Sequence, residues 1–231
     1  MNKWELFYKN FITYGGYKSV LNGLLVTVEI AVFGLFIGIA IGTLIAVVKV
    51  VPKYKRVFRI LEKVVDVYVG FFRGTPMVVQ LLIGYFVLLP SLGVVLDEVI
   101  VAIMIFGLNS GAYVSEIMRA GIQSVDAGQL EAGRALGMSY FSAMKSVVIP
   151  QSIKNILPTL GNEFIVLVKE TSVASFIAVV DVTKAFRSIA DANYEYVIPY
   201  LMLAIVYLIL VGLIALGIKL LERRMKKSDR R

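Results

Sequence analysis

Five long apolar stretches alternate with short polar segments along this chain of 231 residues. A hydrocarbon core about 30 Å thick is crossed by about 20 helical residues. Lipid-exposed backbone must also satisfy its own hydrogen bonds, so each stretch predicts a transmembrane helix. The pattern therefore predicts an all-α integral membrane protein in a single domain, residues 1–231, with five transmembrane helices. The predicted spans are 22–48, 64–89, 99–124, 153–180 and 196–221.

Lysine and arginine are distributed unevenly among the polar segments. Residues 49–59 contain five cations and residues 222–231 contain six, whereas residues 90–98 contain none and residues 181–195 contain two beside three acids. Cytoplasmic loops of membrane proteins carry the excess of Lys and Arg. We therefore expect the N-terminus outside and the C-terminus inside, which an odd number of spans permits.

Composition removes several classes of function. The chain is 58% hydrophobic and 17% charged, and it contains neither cysteine nor histidine. Disulfides, thiolate or imidazole metal sites, cysteine nucleophiles and histidine acid/base chemistry are thereby excluded. The net charge of +8 lies beside the spans, so it indicates topology rather than a nucleic-acid partner. The first apolar stretch is too long for a signal-peptide core, and we expect it to stay in the mature protein.

The first predicted span contains glycine at every fourth position. Gly34, Gly38 and Gly42 share one helix face, which predicts close approach of a second helix. Glu29 lies toward the outer end of the same span. It lies near the interface, pairs with a neighbouring chain, or takes part in transport.

A polar island of residues 131–151 separates the third and fourth spans. Its residues favour helix up to Leu136, Gly137 breaks that helix, a second turn is predicted over residues 140–146, and Pro150 starts or blocks the next element. We expect two short helices on the cytoplasmic membrane surface, joined at Gly137, within a loop of about residues 126–150. Their pattern alone fits a docking site for a partner or an amphipathic interfacial helix equally well.

The island resembles the coupling-loop signature of ATP-binding-cassette (ABC) importer permeases. That signature reads Glu-Ala-Ala, three residues, Gly, nine residues, Ile, one residue, Leu-Pro, and every interval is kept up to Pro150. Gly133, Val147 and Ile149 replace Ala, Ile and Leu. The resemblance implies that the partner ATPase docks on Glu131, Ala132, Gly133, Arg134, Ala135, Leu136 and Gly137.

Three further segments resemble permeases for polar amino acids. They are FRGTP at residues 72–76 followed by Gln80, residues 115–123, and the stretch N-x-F-I-x-L-x-K-x-T-S at residues 162–172. The resemblance extends from about Tyr17 to the basic tail. It implies the type I importer permease fold in a prokaryotic cytoplasmic (inner) membrane, in a system of the histidine, arginine or glutamine uptake type.

The same resemblance implies the partners. These are a second permease copy, two cytoplasmic ATPase subunits that bind ATP and Mg, and an external solute-binding protein that delivers the amino acid. This sequence contains no G-x-x-x-x-G-K-[ST] loop, so we expect neither its own ATPase activity nor a cofactor. A homodimer is favoured, with a heterodimer as the alternative.

Polar residues inside the predicted spans mark candidate pathway positions. In the fourth span, residues 159, 162, 163, 166, 169 and 170 fall on one helix face. The alternative for any single one is an interhelical hydrogen bond. We predict substrate contacts from Asn109, Tyr113, Glu116, Asn162, Glu163, Val166 and Thr75, and gating or pathway roles for Arg73, Lys169 and Glu170.

The carboxylate of Glu163 suggests selectivity for arginine, lysine or histidine, because a buried carboxylate needs a matching cation. Glutamine or glutamate is the alternative substrate. Gly74 and Pro76 are expected to break the second helix, and Arg73 then gates the path or pairs with Asp66 or Glu116. A passive channel, or a membrane enzyme using Glu163 and Glu170, accounts for fewer of these features.

Overall fold

Helices form all of the regular structure described by the computed structural model, which covers residues 2–51 and 56–228, with side chains to Met225. Three π-helical turns (Lys9–Thr13, Ile83–Leu88, Met144–Val148) and a 3-10 turn (Thr171–Ile177) continue some of them. The helices are α1 (Lys3–Tyr8), α2 (Gly16–Val50), α3 (Arg56–Gly74), α4 (Met77–Leu82), α5 (Leu89–Ser91), α6 (Glu98–Gln123), α7 (Ala127–Ala135), α8 (Tyr140–Ala143), α9 (Ile149–Glu170), α10 (Val182–Asp191) and α11 (Val197–Ser228).

Within the described residues, three helices are long and apolar enough to cross a membrane: Gly16–Val50, Glu98–Gln123 and Val197–Met225. The bent pair Arg56–Gly74 and Met77–Ser91 makes a fourth if it is one broken span. Helix α9 covers most of the predicted span 153–180, but four charged residues lower its hydropathy. The all-helical prediction is confirmed for the described residues, while the number of five spans stays a prediction.

Helices α2 and α6 pack side by side and run parallel, because Gly38 meets Ser110 and Gly42 meets Val114 one turn further along both helices. A Cβ on Gly38 would lie 2.5 Å from Ser110 Oγ, and one on Gly42 would lie 2.7 Å from Val114 Cγ1. No side chain fits at either position without displacing α6. The predicted glycine face is therefore confirmed, and α6 is its partner.

The predicted second span, 64–89, is formed by two helices rather than one continuous helix. Helix α3 ends at Gly74, α4 begins at Met77, and the stretch Met77–Ser91 is bent by 108° from α3. The expected break at Gly74 and Pro76 is thus found. The side-chain amide of Gln80 donates to Phe72 O, Thr75 O and Thr75 Oγ1, which satisfies carbonyls that the broken helix leaves unpaired.

Helix α10 packs against the start of α2. Thr27 Oγ1 accepts a 3.2 Å hydrogen bond from the Val182 backbone N–H, and Asp181 caps α10 by accepting from the Thr183 and Lys184 N–H groups. A Cβ on Gly23 would lie 2.6 Å from Asp181 O. The end of the molecule that contains the N-terminus of α2 is thereby closed by α10.

Candidate coupling segment and membrane cleft

The segment of residues 131–137, called the coupling segment below, forms the end of α7 and the turn that follows it. Asp126 Oδ1 caps α7 by accepting from the Gly128 N–H at 2.7 Å. At the other end, Met138 N donates to Gly133 O and Gly137 N donates to Arg134 O, at 3.1 and 3.0 Å. This is the Schellman pattern, and Gly137 supplies its left-handed residue with φ of +83°.

The chain after Gly137 differs from the expectation of a second isolated surface helix. Ser139 caps α8 by accepting from the Ser142 N–H, and the helix then continues through the π turn Met144–Val148 directly into α9. Pro150 lies in the first turn of α9, where its missing N–H is tolerated. A single helical path therefore connects the coupling segment to α9.

All residues of the coupling segment are exposed to solvent except one, which is packed against α8. Leu136 is 85% exposed, and Phe141 in α8 is 76% exposed. Gly133 is buried, and a Cβ there would lie 3.2 Å from Ala143 Cβ. The other residues of the segment are exposed, namely Glu131, Ala132, Arg134, Ala135, Leu136 and Gly137. Exposed apolar side chains beside charged ones suit either a protein contact or the membrane surface.

Polar contacts on both sides of the coupling segment reach the end of α2 and the start of α9. Tyr140 Oη donates to Val50 O at 3.4 Å, and Gln151 Nε2 donates to Gln129 Oε1 at 3.3 Å. An apolar cavity of about 360 Å³ lies between Tyr140 and the neighbouring ends of α2, α6 and α9. These contacts join the residues on either side of the coupling segment to the end of α2 and the start of α9.

A cleft of about 430 Å³ opens between α3, α6 and α9. It brings together Arg73, Tyr113 and Glu116, three residues predicted from the sequence, with Asn155 and Thr159 of α9. The Arg73 guanidinium lies over the Tyr113 ring, 5.4 Å from its centroid. Among the described residues no salt bridge joins Arg73 to Asp66 or Glu116, whose carboxylates pair with Lys49 and Arg119 instead.

Glu116 belongs to a salt-bridge network with cations of its own chain. Lys49 Nζ lies 2.8 Å from Glu116 Oε1 and 3.1 Å from Asp66 Oδ1, and Arg119 Nη2 lies 2.7 Å from Glu116 Oε2. The network ties α2, α3 and α6 together beside the cleft. Lys49, assigned to a loop from its sequence position, is a helix residue whose charge is matched by these carboxylates.

Asn109 and Thr75, both predicted to contact substrate, lie behind the cleft at the break between α3 and α4. Asn109 is 4% exposed, and its amide donates to Gln80 Oε1 at 2.9 Å and to Phe72 O at 3.2 Å. Thr75 Oγ1 donates to Phe71 O and accepts from Gln80. In this structure both side chains form the interhelical and intrahelical bonds that were the alternative to a substrate contact.

Helix α9 presents an exposed stripe that alternates in steps of four and three residues. Beside the stripe, Glu163 is 9% exposed and accepts one hydrogen bond, from Ser110 Oγ at 3.3 Å. No described cation lies within salt-bridge distance of its carboxylate, and Glu170 is half-buried. The stripe consists of Asn155, Thr159, Asn162, Val166 and Lys169, of which the first two also line the cleft.

Lys49, Gln80 and Ser110 bond to predicted site residues but were not predicted as site residues themselves. Lys49 and Glu116 are 67 residues apart, Asn109 and Gln80 are 29 apart, and Ser110 and Glu163 are 53 apart. No local spacing indicates such pairs. Asn155 was also missed, although its place on the polar face of α9 was a usable signal.

A helical membrane domain with a polar cleft and a segment that resembles a coupling loop is typical of an importer permease. The chain belongs to the family of binding-protein-dependent transport system inner membrane components, which matches residues 34–227. The chain is therefore an inner membrane component of a binding-protein-dependent transport system.

Two relatives narrow the class of transport system. The chain is 39% identical over 206 residues to the putative glutamine transport system permease protein GlnP of Rickettsia felis, covering 89% of this chain and 92% of the relative. It is also 39% identical over 210 residues to the arginine transport system permease protein ArtQ of Bacillus subtilis, covering 91% and 94%.

Solved structures agree on the fold. One chain of an amino acid ABC transporter with histidines matches with a TM-score of 0.84 and 37% identity, covering 94% of this chain and 98% of that one. A chain of the MetNI methionine ABC transporter matches with a TM-score of 0.74 over 89% and 95%, but at 17% identity it supports the fold alone. The chain is a permease subunit of an amino acid ABC importer with the type I fold.

Proposed function

We propose that this permease subunit forms half of an alternating-access pathway for a polar, preferably basic, L-amino acid. An external solute-binding protein delivers the substrate, and two cytoplasmic ATPase subunits bind ATP and Mg and drive the cycle. The N-terminus is outside and the C-terminus inside. The five crossings are α2, the bent pair of α3 and α4, α6, α9 and α11.

The exposed stripe of α9 supports both the fifth crossing and a dimer. Polar residues within a bilayer face a partner helix or an aqueous path rather than lipid. Asn155, Thr159, Asn162 and Lys169 remain exposed in the single chain. A second copy related by a twofold axis encloses such a face, so we favour a homodimer, with a paralogous partner as the alternative.

Glu163 is the observation that carries the preference for a basic substrate. Its carboxylate is nearly buried, has one hydrogen bond of 3.3 Å and has no described cationic partner. A buried carboxylate is stabilised strongly by a charge-assisted hydrogen bond. The ammonium or guanidinium of a basic amino acid provides that bond, while the amide of Asn162 lies exposed on the same helix.

Glutamine is the second candidate, and two observations favour it. The relative from Rickettsia felis is described as a putative glutamine permease. The stripe of α9 also carries two amides, Asn155 and Asn162, which pair with the side-chain amide of glutamine as readily as with a carboxylate. The two candidates differ in what they require of the charge on Glu163.

The continuous helical path from α8 to α9 transmits the movement of the ATPases to the membrane domain. The ATPases close on binding ATP and draw the two coupling segments together, and hydrolysis reverses the motion. Because the helical path runs from Tyr140 to Glu170 without a loop, displacement of the coupling segment moves the polar stripe of α9 directly. The Lys49 network keeps α2, α3 and α6 together during this movement.

Glu163→Gln tests selectivity in proteoliposomes that contain the assembled transporter. The substitution keeps shape and hydrogen-bonding reach but removes the charge. A charge-assisted hydrogen bond contributes roughly 1.5–3 kcal/mol, so uptake efficiency for arginine should fall by about one to two orders of magnitude. Uptake of glutamine should change much less.

Glu98→Gln is the matched control, since Glu98 lies in the first turn of α6 rather than within the membrane helices' packed interior. Equal losses for arginine and glutamine, with basal ATPase activity intact, would assign Glu163 to structure or gating. Uptake without ATP would instead indicate a passive channel, and chemical turnover by this chain alone would indicate an enzyme.

A further inference from the structure

Residues 3–13 form a helical segment that carries three different stripes, each with a spacing of four residues. The protein-facing stripe contains Phe7 and Phe11, whose rings stack with centroids 5.1 Å apart. Phe11 also stacks on Phe186 of α10 at 6.4 Å. Lys3 Nζ lies 3.4 Å from Glu195 Oε2, which ties the segment to the loop before α11.

The second stripe of this segment is aromatic and aliphatic and remains exposed. Trp4 is 52% exposed, Tyr8 is 62% exposed and Ile12 is 45% exposed. The third stripe, also exposed, contains the polar residues Glu5 and Thr13 with Lys9 between them. A segment with one protein-facing, one apolar and one polar stripe is suited to a boundary between protein, lipid and water.

The segment lies at the level where the first membrane span begins. Gly15 turns the chain with φ of +75°, and α2 starts at Gly16. Six of the twelve tyrosines lie at this end of the molecule, and all are partly or largely exposed: Tyr8, Tyr14, Tyr17, Tyr194, Tyr196 and Tyr200. Trp and Tyr concentrate in proteins at the membrane–water interface. Trp4, at the same end, is the only tryptophan in the sequence.

We propose that residues 3–13 lie flat in the lipid interface at the N-terminal end of α2. Trp4, Tyr8 and Ile12 enter the boundary between headgroups and acyl chains, while Glu5, Lys9 and Thr13 face water. The partner is thus the bilayer itself, because the segment leads through the Gly15 turn directly into the apolar helix α2 and exposes aromatic side chains of the kind found at membrane interfaces. Through Phe11 and Phe186, the interface holds α10 over the end of α2.

Trp4 makes the proposal directly measurable. The full-length chain, reconstituted in liposomes of phosphatidylcholine and phosphatidylglycerol, is compared with the same chain in liposomes containing phosphatidylcholine brominated at acyl positions 6 and 7. We expect brominated lipid to reduce Trp4 emission at least twofold and aqueous iodide to reduce it little. Emission that iodide quenches fully and brominated lipid leaves unchanged would overturn the proposal and indicate a water-facing or protein-binding surface.

Two variants with the same added charge separate the apolar stripe from the polar one. Ile12→Glu should lessen quenching by brominated lipid and raise quenching by iodide, whereas Thr13→Glu on the neighbouring polar stripe should leave both unchanged. Equal behaviour of the two variants, with both still inserted in the liposomes, would contradict the orientation. If Ile12→Glu fails to assemble, the depth of Trp4 in the unmodified chain still decides the proposal.

Discussion

The α2–α6 interface and the coupling segment both depend on glycine, but for different physical reasons. At Gly38 and Gly42 the backbone is ordinary helix, and it is the neighbouring helix that leaves no room for a side chain. At Gly137 nothing lies within 4 Å of a hypothetical Cβ, and the requirement is instead the positive φ of the turn. The first interface is fixed by space and the second by backbone conformation.

Because of this difference, we expect substitutions in the α2–α6 interface to affect the fold and substitutions in the coupling segment to affect function. Membrane helices gain little from hydrophobic transfer once they are in lipid, so close packing at small residues supplies their association. A defect at Gly42 therefore threatens the fold of the whole domain. The coupling segment has few packed neighbours, so a defect there should alter its contact with the ATPase and leave the membrane helices in place.

The largest effect is expected from Gly42→Val. Its Cβ would meet Val114 Cγ1 at 2.7 Å and Ser115 N at 2.8 Å, and overpacking of this kind costs about 3 kcal/mol. We expect a large fall in monodisperse protein after extraction in detergent and a lower unfolding temperature. Gly70→Val is the matched control, because nothing lies within 4 Å of its hypothetical Cβ. Similar stability of both variants would refute the close-packing argument.

Lys49→Met should have the next largest effect. It leaves Glu116 with Arg119 alone and Asp66 without its ion pair, and the side chains of Lys49 and Glu116 are only 11% and 19% exposed. Loss of one partner from a largely buried pair should cost about 2 kcal/mol of unfolding free energy. Thermal unfolding of Lys49→Met, Glu116→Gln and the double variant measures the coupling energy.

If the loss of unfolding free energy in the double variant equals the sum of the two single losses, Lys49 and Glu116 act independently. Lys18→Met is the control, since Lys18 is exposed in the first turns of the same helix. The Lys49–Glu116 pair adds an electrostatic contact to the α2–α6 interface, which is otherwise fixed by close packing.

The sequence predicted those features whose cause is local. Gly34, Gly38 and Gly42 share a face by helical periodicity alone, and Gly137 marks a helix end because it supplies a left-handed residue without steric strain. The break at Gly74 and Pro76 was expected for the same kind of reason. The helical character of the described chain follows from hydropathy and backbone hydrogen bonding.

Features that depend on tertiary contacts could not be predicted. Periodicity did not indicate that Gly42 packs on Val114, nor that Lys49 reaches Glu116 across 67 residues. Asn109 illustrates the limit for the candidate site. A membrane-embedded amide is equally suited to binding a substrate and to bonding Gln80, and only the position of Gln80 just after the bend decides its place in this structure.

Gly137→Val tests the conformational side of the comparison, with a smaller effect on stability. A β-branched residue at φ of +83° is strained by about 1–3 kcal/mol, and this strain should distort the turn rather than unfold the membrane helices. We expect normal extraction from the membrane but loss of substrate-stimulated ATPase activity in the assembled transporter. Gly137→Asn is the control, because asparagine tolerates left-handed conformations better. Full coupling in the valine variant would contradict the docking assignment.

Leu136→Ala should have the smallest effect on the fold and a clear effect on assembly. Leu136 is 85% exposed in the single chain, so its truncation should change unfolding free energy by less than about 0.5 kcal/mol. If it fills a groove on the ATPase, truncation should weaken that contact by about 1–2 kcal/mol, a decrease in affinity of roughly tenfold. Titration of purified ATPase onto the permease in proteoliposomes measures this change.

Val95→Ala provides the control, because Val95 is 96% exposed in the loop before α6, remote in sequence from the coupling segment. Unchanged ATPase affinity in Leu136→Ala would place the docking contact elsewhere on α7, at Glu131 or Arg134, whose charges would then carry it.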